Sequence, residues 1–178
     1  MKIKRAEQRI EKLYKAIDES HFFDHFTECS TCPILCARKK NIHWLLTVES
    51  EQLKNLLPVS KVKNAHFFEG GLCPLLNNKR CSIYNNRPLE CRLNPISIYE
   101  IDGSLYWILY KICPAVKHAT DLDEFIMGCK NFINKLEPQI TPGIQDEFRQ
   151  ISRAIKTFDP LVHEIDFIVL RRLENNNK

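Results

Sequence analysis

The chain has 178 residues, 44% of them hydrophobic, with eight cysteines and a formal net charge of +4 from 26 basic and 22 acidic side chains. That length and apolar content suffice for a core, so cross-links are not needed merely to fold, and the mild, interspersed charge gives no support to nucleic-acid binding. The start, Met1-Lys2-Ile3-Lys4-Arg5, lacks the apolar stretch of a signal peptide, and no run approaches the roughly 18 apolar residues of a membrane span, so the expectation is a cytoplasmic protein with reduced thiols and no membrane partner.

Ile3, Ala6, Ile10, Leu13, Tyr14 and Ile17 recur at three- and four-residue steps and predict an amphipathic helix over 3–19. His21 and His25 follow, and then Cys29-x2-Cys32-x3-Cys36 with Arg38-Lys39-Lys40 just behind it. These three cations are ordinary solvated surface or else balance the negative charge of a thiolate site. The apolar run Ile42–Val48 reads as a buried strand, followed by a helix over 49–57 that Pro58 ends. Gly70-Gly71 breaks the chain ahead of Cys73-Pro74.

The next segment is Cys81-Ser82-Ile83-Tyr84-Asn85-Asn86-Arg87-Pro88-Leu89-Glu90-Cys91-Arg92, in which Pro88 is placed to open a short helix carrying Cys91. Pro95–Ile112 predicts a hairpin, because Ile96, Ile98 and Glu100 alternate with Ser97, Tyr99 and Ile101, and Asp102-Gly103 suits a type I′ turn. After Cys113-Pro114, Thr120-Asp121-Leu122-Asp123 resembles a capping box with Asp in place of the usual Glu. Leu122, Phe125, Ile126, Cys129, Phe132, Ile133 and Leu136 form one apolar helical stripe, which makes Cys129 a core thiol before it is a ligand. Thr141-Pro142 starts a further helix that turns Ile144, Phe148, Ile151 and Ile155 inward. The element over 161–173 is helix or strand, and 175–178 is a frayed tail.

These elements add up to a small α+β fold: one domain over 1–178, with helical ends framing an irregular, cysteine-rich middle at about 29–116 that contains a β-hairpin, and C-terminal helices over about 120–173. No repeat or Gly/Ser-rich linker divides the chain.

In a reducing compartment the seven cysteines from Cys29 to Cys113 point to metal ligation and not to disulfides. Thiolates bind zinc and iron–sulfur clusters, and two cysteines separated by two residues can turn both sulfurs onto one metal. Proline follows Cys32, Cys73 and Cys113, as it follows one ligand in ferredoxin-type runs, and stiffens each of those loops. Arg87 and Arg92 bracket Cys91; they serve either to neutralise thiolate charge around a bound cofactor or to make surface salt bridges.

The Cys-x2-Cys-x3-Cys group, Cys73-Pro74-Leu75-Leu76, Cys81-Ser82-Ile83-Tyr84, Arg87-Pro88, Cys91-Arg92 and Cys113-Pro114 resemble the YkgJ-type (CxxCxxCC) family of zinc- or iron-chelating domains over about 29–116. The resemblance implies metal ligation by some subset of Cys29, Cys32, Cys36, Cys73, Cys81, Cys91 and Cys113. Here Cys36 is followed by Ala37 where the family pattern has a second cysteine, so the ligand count of relatives does not carry over. Flagellin lysine N-methylase resembles the family and uses an iron–sulfur cluster.

Only Cys29 and Cys32 make a tight pair, whereas a structural zinc finger keeps its ligands as two close pairs. A clustered triad with distant further thiols suits a 4Fe-4S cubane better, with Zn2+ as the alternative. The order of the triad is the reverse of the radical-SAM motif, the chain is too short for that barrel, and no Gly-x-Gly-x-x-Gly loop is present. The functional expectation is therefore a metal-binding protein with an iron–sulfur cluster in a redox or scaffold role. The alternatives are a zinc-binding interaction module and a methylase-like enzyme modifying a protein side chain, with a protein as partner or substrate.

Overall fold

The computed structural model describes residues 2–22, 42–69, 74–77, 80–158 and 166–173. Cys29, Cys32 and Cys36 with His25 and Arg38-Lys39-Lys40, the Gly70-Gly71 break with Cys73, and the tail 175–178 lie outside the described residues.

Helix α1 runs Lys2–Asp18 and buries Ile10, Leu13 and Ile17, the inward stripe its periodicity predicts. It ends before His21, which has φ +53°, so His21 is not part of a helical turn.

Strand β1 (Ile42–Leu45), helix α2 (Thr47–Leu53) and strands β2 (Val59–Val62) and β3 (Ala65–Glu69) follow, and the strands form an antiparallel sheet of order β1-β3-β2. Trp44 and Phe67 face the main core, while Leu45 and Phe68 pack with Leu53 and Leu57 on the opposite face. Burial on both faces explains why this strand reads as mainly apolar, with His43 also buried. The strand is shorter than the expected 42–48. The Glu49 carboxylate accepts from Leu46 N–H at 2.8 Å and Glu147 accepts from Thr47 N–H at 2.6 Å, so the chain has already become a helix N-terminus at Thr47. Helix α2 also stops at Leu53, short of the expected Leu57. The β2–β3 hairpin was not expected from the sequence; it turns through Lys63 at φ +54°.

Strands β4 (Leu76–Asn77) and β5 (Arg80–Cys81) form a small hairpin, a 3-10 turn covers Tyr84–Asn86, and helix α3 spans Leu89–Leu93. A cis Asn94–Pro95 peptide leads into β6 (Ile96–Ile101) and β7 (Ser104–Tyr110). Ile101 pairs with Ser104 across Asp102 (φ +47°) and Gly103 (φ +78°), the two positive φ values a type I′ turn requires.

Helices α4 (Pro114–Lys117), α5 (Leu122–Leu136) and α6 (Pro142–Phe158) precede β8 (Phe167–Arg172). Of the ambiguous last element, expected over 161–173, residues 161–165 lie outside the described residues and Phe167–Arg172 is a strand, added antiparallel to β7 with an irregularity at Trp107/Ile108, which gives a β6-β7-β8 sheet. The N-cap of α5 is Asp121 and not Thr120: its carboxylate accepts from Glu124 N–H at 3.0 Å. Asp-x-x-Glu, one residue along, is the better cap because a carboxylate also favours the positive end of the helix dipole. Helix α6 packs against β3, β6 and β7, with Trp44 edge-on to Phe148 at 5.1 Å, and α5 packs against α1 and β8. The architecture is α+β, and no helix among the described residues is long and apolar enough to cross a membrane.

Candidate metal centre

Cys81, Cys91 and Cys113, the candidate ligands among the described residues, are all half-buried. Cys81 ends β5 opposite Leu76, and Ser82 N–H donates to Leu75 O at 2.8 Å. Leu75 and Ile83 then pack on Leu45, Leu53, Leu57 and Phe68. The isoleucine of the Cys-x-Ile-Tyr motif is therefore an apolar anchor that pins the Cys81 loop to the first sheet. Tyr84 is exposed, and the Arg87 guanidinium lies 3.8 Å from its ring centroid while Arg87 Nε donates to Tyr84 O at 3.0 Å.

Cys91 lies in α3 and Cys113 is the N-cap of α4. Ile96 pairs with Leu109, and Tyr110 N–H donates to Pro95 O at 2.9 Å. The exit of α3 and the entrance of α4 therefore sit at one end of the β6–β7 hairpin, away from the Asp102-Gly103 turn. A rigid hairpin base is a suitable frame for two ligand arms. Among the described residues no three His, Cys, Asp or Glu side chains form a metal-holding group; Cys29, Cys32, Cys36 and Cys73 fall outside them.

Five residues are too few for a helix to persist by its own hydrogen bonds, so α3 must be held by its surroundings. Its N-cap, Pro88, has no capping side chain, and Glu49 Oε1 substitutes by accepting from Leu89 N–H at 2.6 Å. Glu90 Oε2 accepts from Trp44 N–H at 2.7 Å and lies 3.4 Å from His43 Nδ1. Arg92, 6% exposed, donates from Nε to Arg87 O at 2.7 Å, from Nη2 to Asn85 O and from Nη1 to Asp18 Oδ1 at 2.7 Å, with its Cζ 4.2 Å from the Tyr14 ring centroid. The forked guanidinium thus ties the loop between Cys81 and Cys91 to α1. Among the described residues, the partners of the two arginines flanking Cys91 are loop carbonyls, tyrosine rings and Asp18.

Burial raises the Glu49 carboxyl to about 7, against the opposing hydrogen bonds from Tyr14 Oη and the Leu46 and Leu89 amides. Burial first, then the Glu49 carboxylate, hold the Tyr14 phenol far above its ordinary value, and Cys91 adds to the effect from nearby. Cys129 is fully buried, as the apolar stripe predicts, and burial pushes its thiol up to about 12. A thiol held protonated in this way is a poor ligand.

The model of the CxxCxxCC family, described as a "putative zinc- or iron-chelating domain", matches residues 27–141, well over half of the chain. The chain belongs to the CxxCxxCC family. The match runs past the motifs at 29–116 and takes in α5, the helix that carries Cys129. Comparison with curated proteins and with solved structures gave no match. Membership of the CxxCxxCC family supports metal binding, of zinc or iron.

Sequence reasoning missed the buried Tyr14–Glu49–Leu89 connection and the Glu90–Trp44 tie. Glu49 carried one readable signal, an acid at the third position of a helix. Its contacts with Tyr14 and Leu89, 35 and 40 residues away, leave no local trace.

Proposed function

We propose that this CxxCxxCC protein holds a cysteine-ligated iron–sulfur cluster of the 4Fe-4S type, in a redox or scaffold role, with ligands drawn from Cys29, Cys32, Cys36, Cys73, Cys81, Cys91 and Cys113. The observation that carries the reading is the contrast among thiols: Cys81, Cys91 and Cys113 sit half-buried in anchored loops and helix ends, whereas Cys129 is sealed in the core. All-sulfur donors at such positions fit a cluster, which supplies a one-electron couple and a cross-link between chain segments when bound. Arg92 and the hairpin base hold the Cys91 and Cys113 arms in place; Arg92 and Arg87 are proposed to act through the loop geometry around Cys91.

Zinc is the second reading, favoured by the family's own description. We take residues 1–178 as one domain, because Ile10, Trp44, Trp107 and Phe148 share a single core cluster. A cytoplasmic setting, with reduced thiols, completes the proposal. Metal content of purified Cys91→Ser and Cys113→Ser tests the ligand set: each is expected to lose most bound metal, and full retention in both would remove these two cysteines from the site.

A further inference from the structure

We infer that Glu49 is a positioning residue for the ligand-bearing helix: its carboxylate, joined to Tyr14 on α1, caps α3 and so fixes where Cys91 presents its sulfur. The inference rests on the reading of Cys91 as a ligand and deepens it. Glu49 is 1% exposed and belongs to α2, yet Oε1 accepts from Leu89 N–H at 2.6 Å and from Tyr14 Oη, while Oε2 accepts from Leu46 N–H at 2.8 Å. One carboxylate thereby joins three helices at the point where α3 begins, two residues before Cys91.

A buried carboxylate is costly to place, and a fold tolerates it when both of its oxygens are hydrogen-bonded. Each of its bonds here goes to a group that needs a partner: two orphan helix-start amides and a buried phenol. Pro88 has no side chain that reaches Leu89 N–H, so without Glu49 the first turn of α3 has no cap. Arg92 ties the last turn of α3 to Asp18, and Glu90, its second residue, ties it to Trp44, but neither accepts from its first amide. Loss of Glu49 therefore leaves Leu89 N–H without its cap and loosens the start of α3, and with it the approach of Cys91 to a metal, while the ties of Glu90 and Arg92 and the core remain.

The test compares the full-length protein with Glu49→Leu, Glu49→Gln, Tyr14→Phe, Cys91→Ser and the core control Ile133→Ala. Release of the metal present as purified is followed with bathophenanthroline for iron and 4-(2-pyridylazo)resorcinol for zinc, alongside urea unfolding. Groups that orient a metal ligand typically change metal affinity about 10- to 100-fold. Glu49→Leu is expected to release metal faster by that order, Glu49→Gln less so because its amide oxygen still accepts from Leu89 N–H, and Ile133→Ala at the wild-type rate despite its lower stability. Should Glu49→Leu fail to fold, Glu49→Gln and Tyr14→Phe carry the comparison. If Cys91→Ser loses metal but the Glu49 and Tyr14 variants release it no faster than Ile133→Ala, the positioning role is overturned and the ligand reading stands. If Cys91→Ser keeps its metal, the ligand reading falls and takes this inference with it.

Discussion

Arg92 Nη1 lies 2.7 Å from Asp18 Oδ1, joining the helix that carries Cys91 to the last turn of α1. The two partners are unequal: Arg92 is 6% exposed and Asp18 63%, so the pair is half in water. Its Coulomb energy is screened on the aspartate side, and the larger contribution comes from the two loop carbonyls that share the same guanidinium. Arg92→Ala is accordingly expected to destabilise the fold by about 1–3 kcal/mol, because it removes a buried guanidinium and its charge-assisted hydrogen bonds to two part-buried carbonyls, while Asp18→Asn costs about 1 kcal/mol or less. Arg92→Lys should fall nearer to alanine than to wild type, since a point ammonium cannot serve the fork. Urea unfolding of the three variants checks this ranking.

Glu49 sets a pH dependence. Its folded value, raised from 4.5 to about 7, lies above its unfolded one, so its contribution is fully present below 4.5 and is lost as pH rises through 7. Relative to Glu49→Gln, the wild-type protein should therefore lose roughly 3 kcal/mol of stability between those two pH values. Parallel denaturation curves at pH 4.5 and 8 measure the difference, and a difference that grows with pH in favour of wild type would contradict it.

Much of the fold was legible where local chemistry decides it. Asp102-Gly103 specified its hairpin because few residue pairs accept two positive φ values, and the stripe through Cys129 specified a buried helix face. The β2–β3 hairpin was hidden because Lys63, a non-glycine residue, takes the positive φ, and exposed Ser60 and Lys61 break the apolar pattern. In the candidate site, the cysteines and the arginine-proline stretch were visible as a motif. The uses of Ile83 as an anchor and of Glu49 as a cap for α3 depend on partners remote in sequence, and no periodicity encodes them.

Cys129→Ser is expected to keep its metal while losing about 1–3 kcal/mol of stability, since a hydroxyl replaces a buried, weakly polar thiol. In native protein the same thiol should resist alkylation, being fully buried and held protonated. Metal analysis of the variant and peptide mapping after brief iodoacetamide treatment check both statements.

Gly103→Ala isolates a backbone effect, because a Cβ there meets nothing within 4 Å while φ is +78°. A loss of about 1 kcal/mol with unchanged metal content is expected from placing an L side chain in the left-handed region. Thermal unfolding measures it.

Anaerobic iron, zinc and acid-labile sulfide analysis of the purified protein decides the kind of metal centre. The expectation is brown protein with about four iron and four sulfide per chain and little zinc. Colourless protein carrying stoichiometric zinc and no sulfide would contradict it.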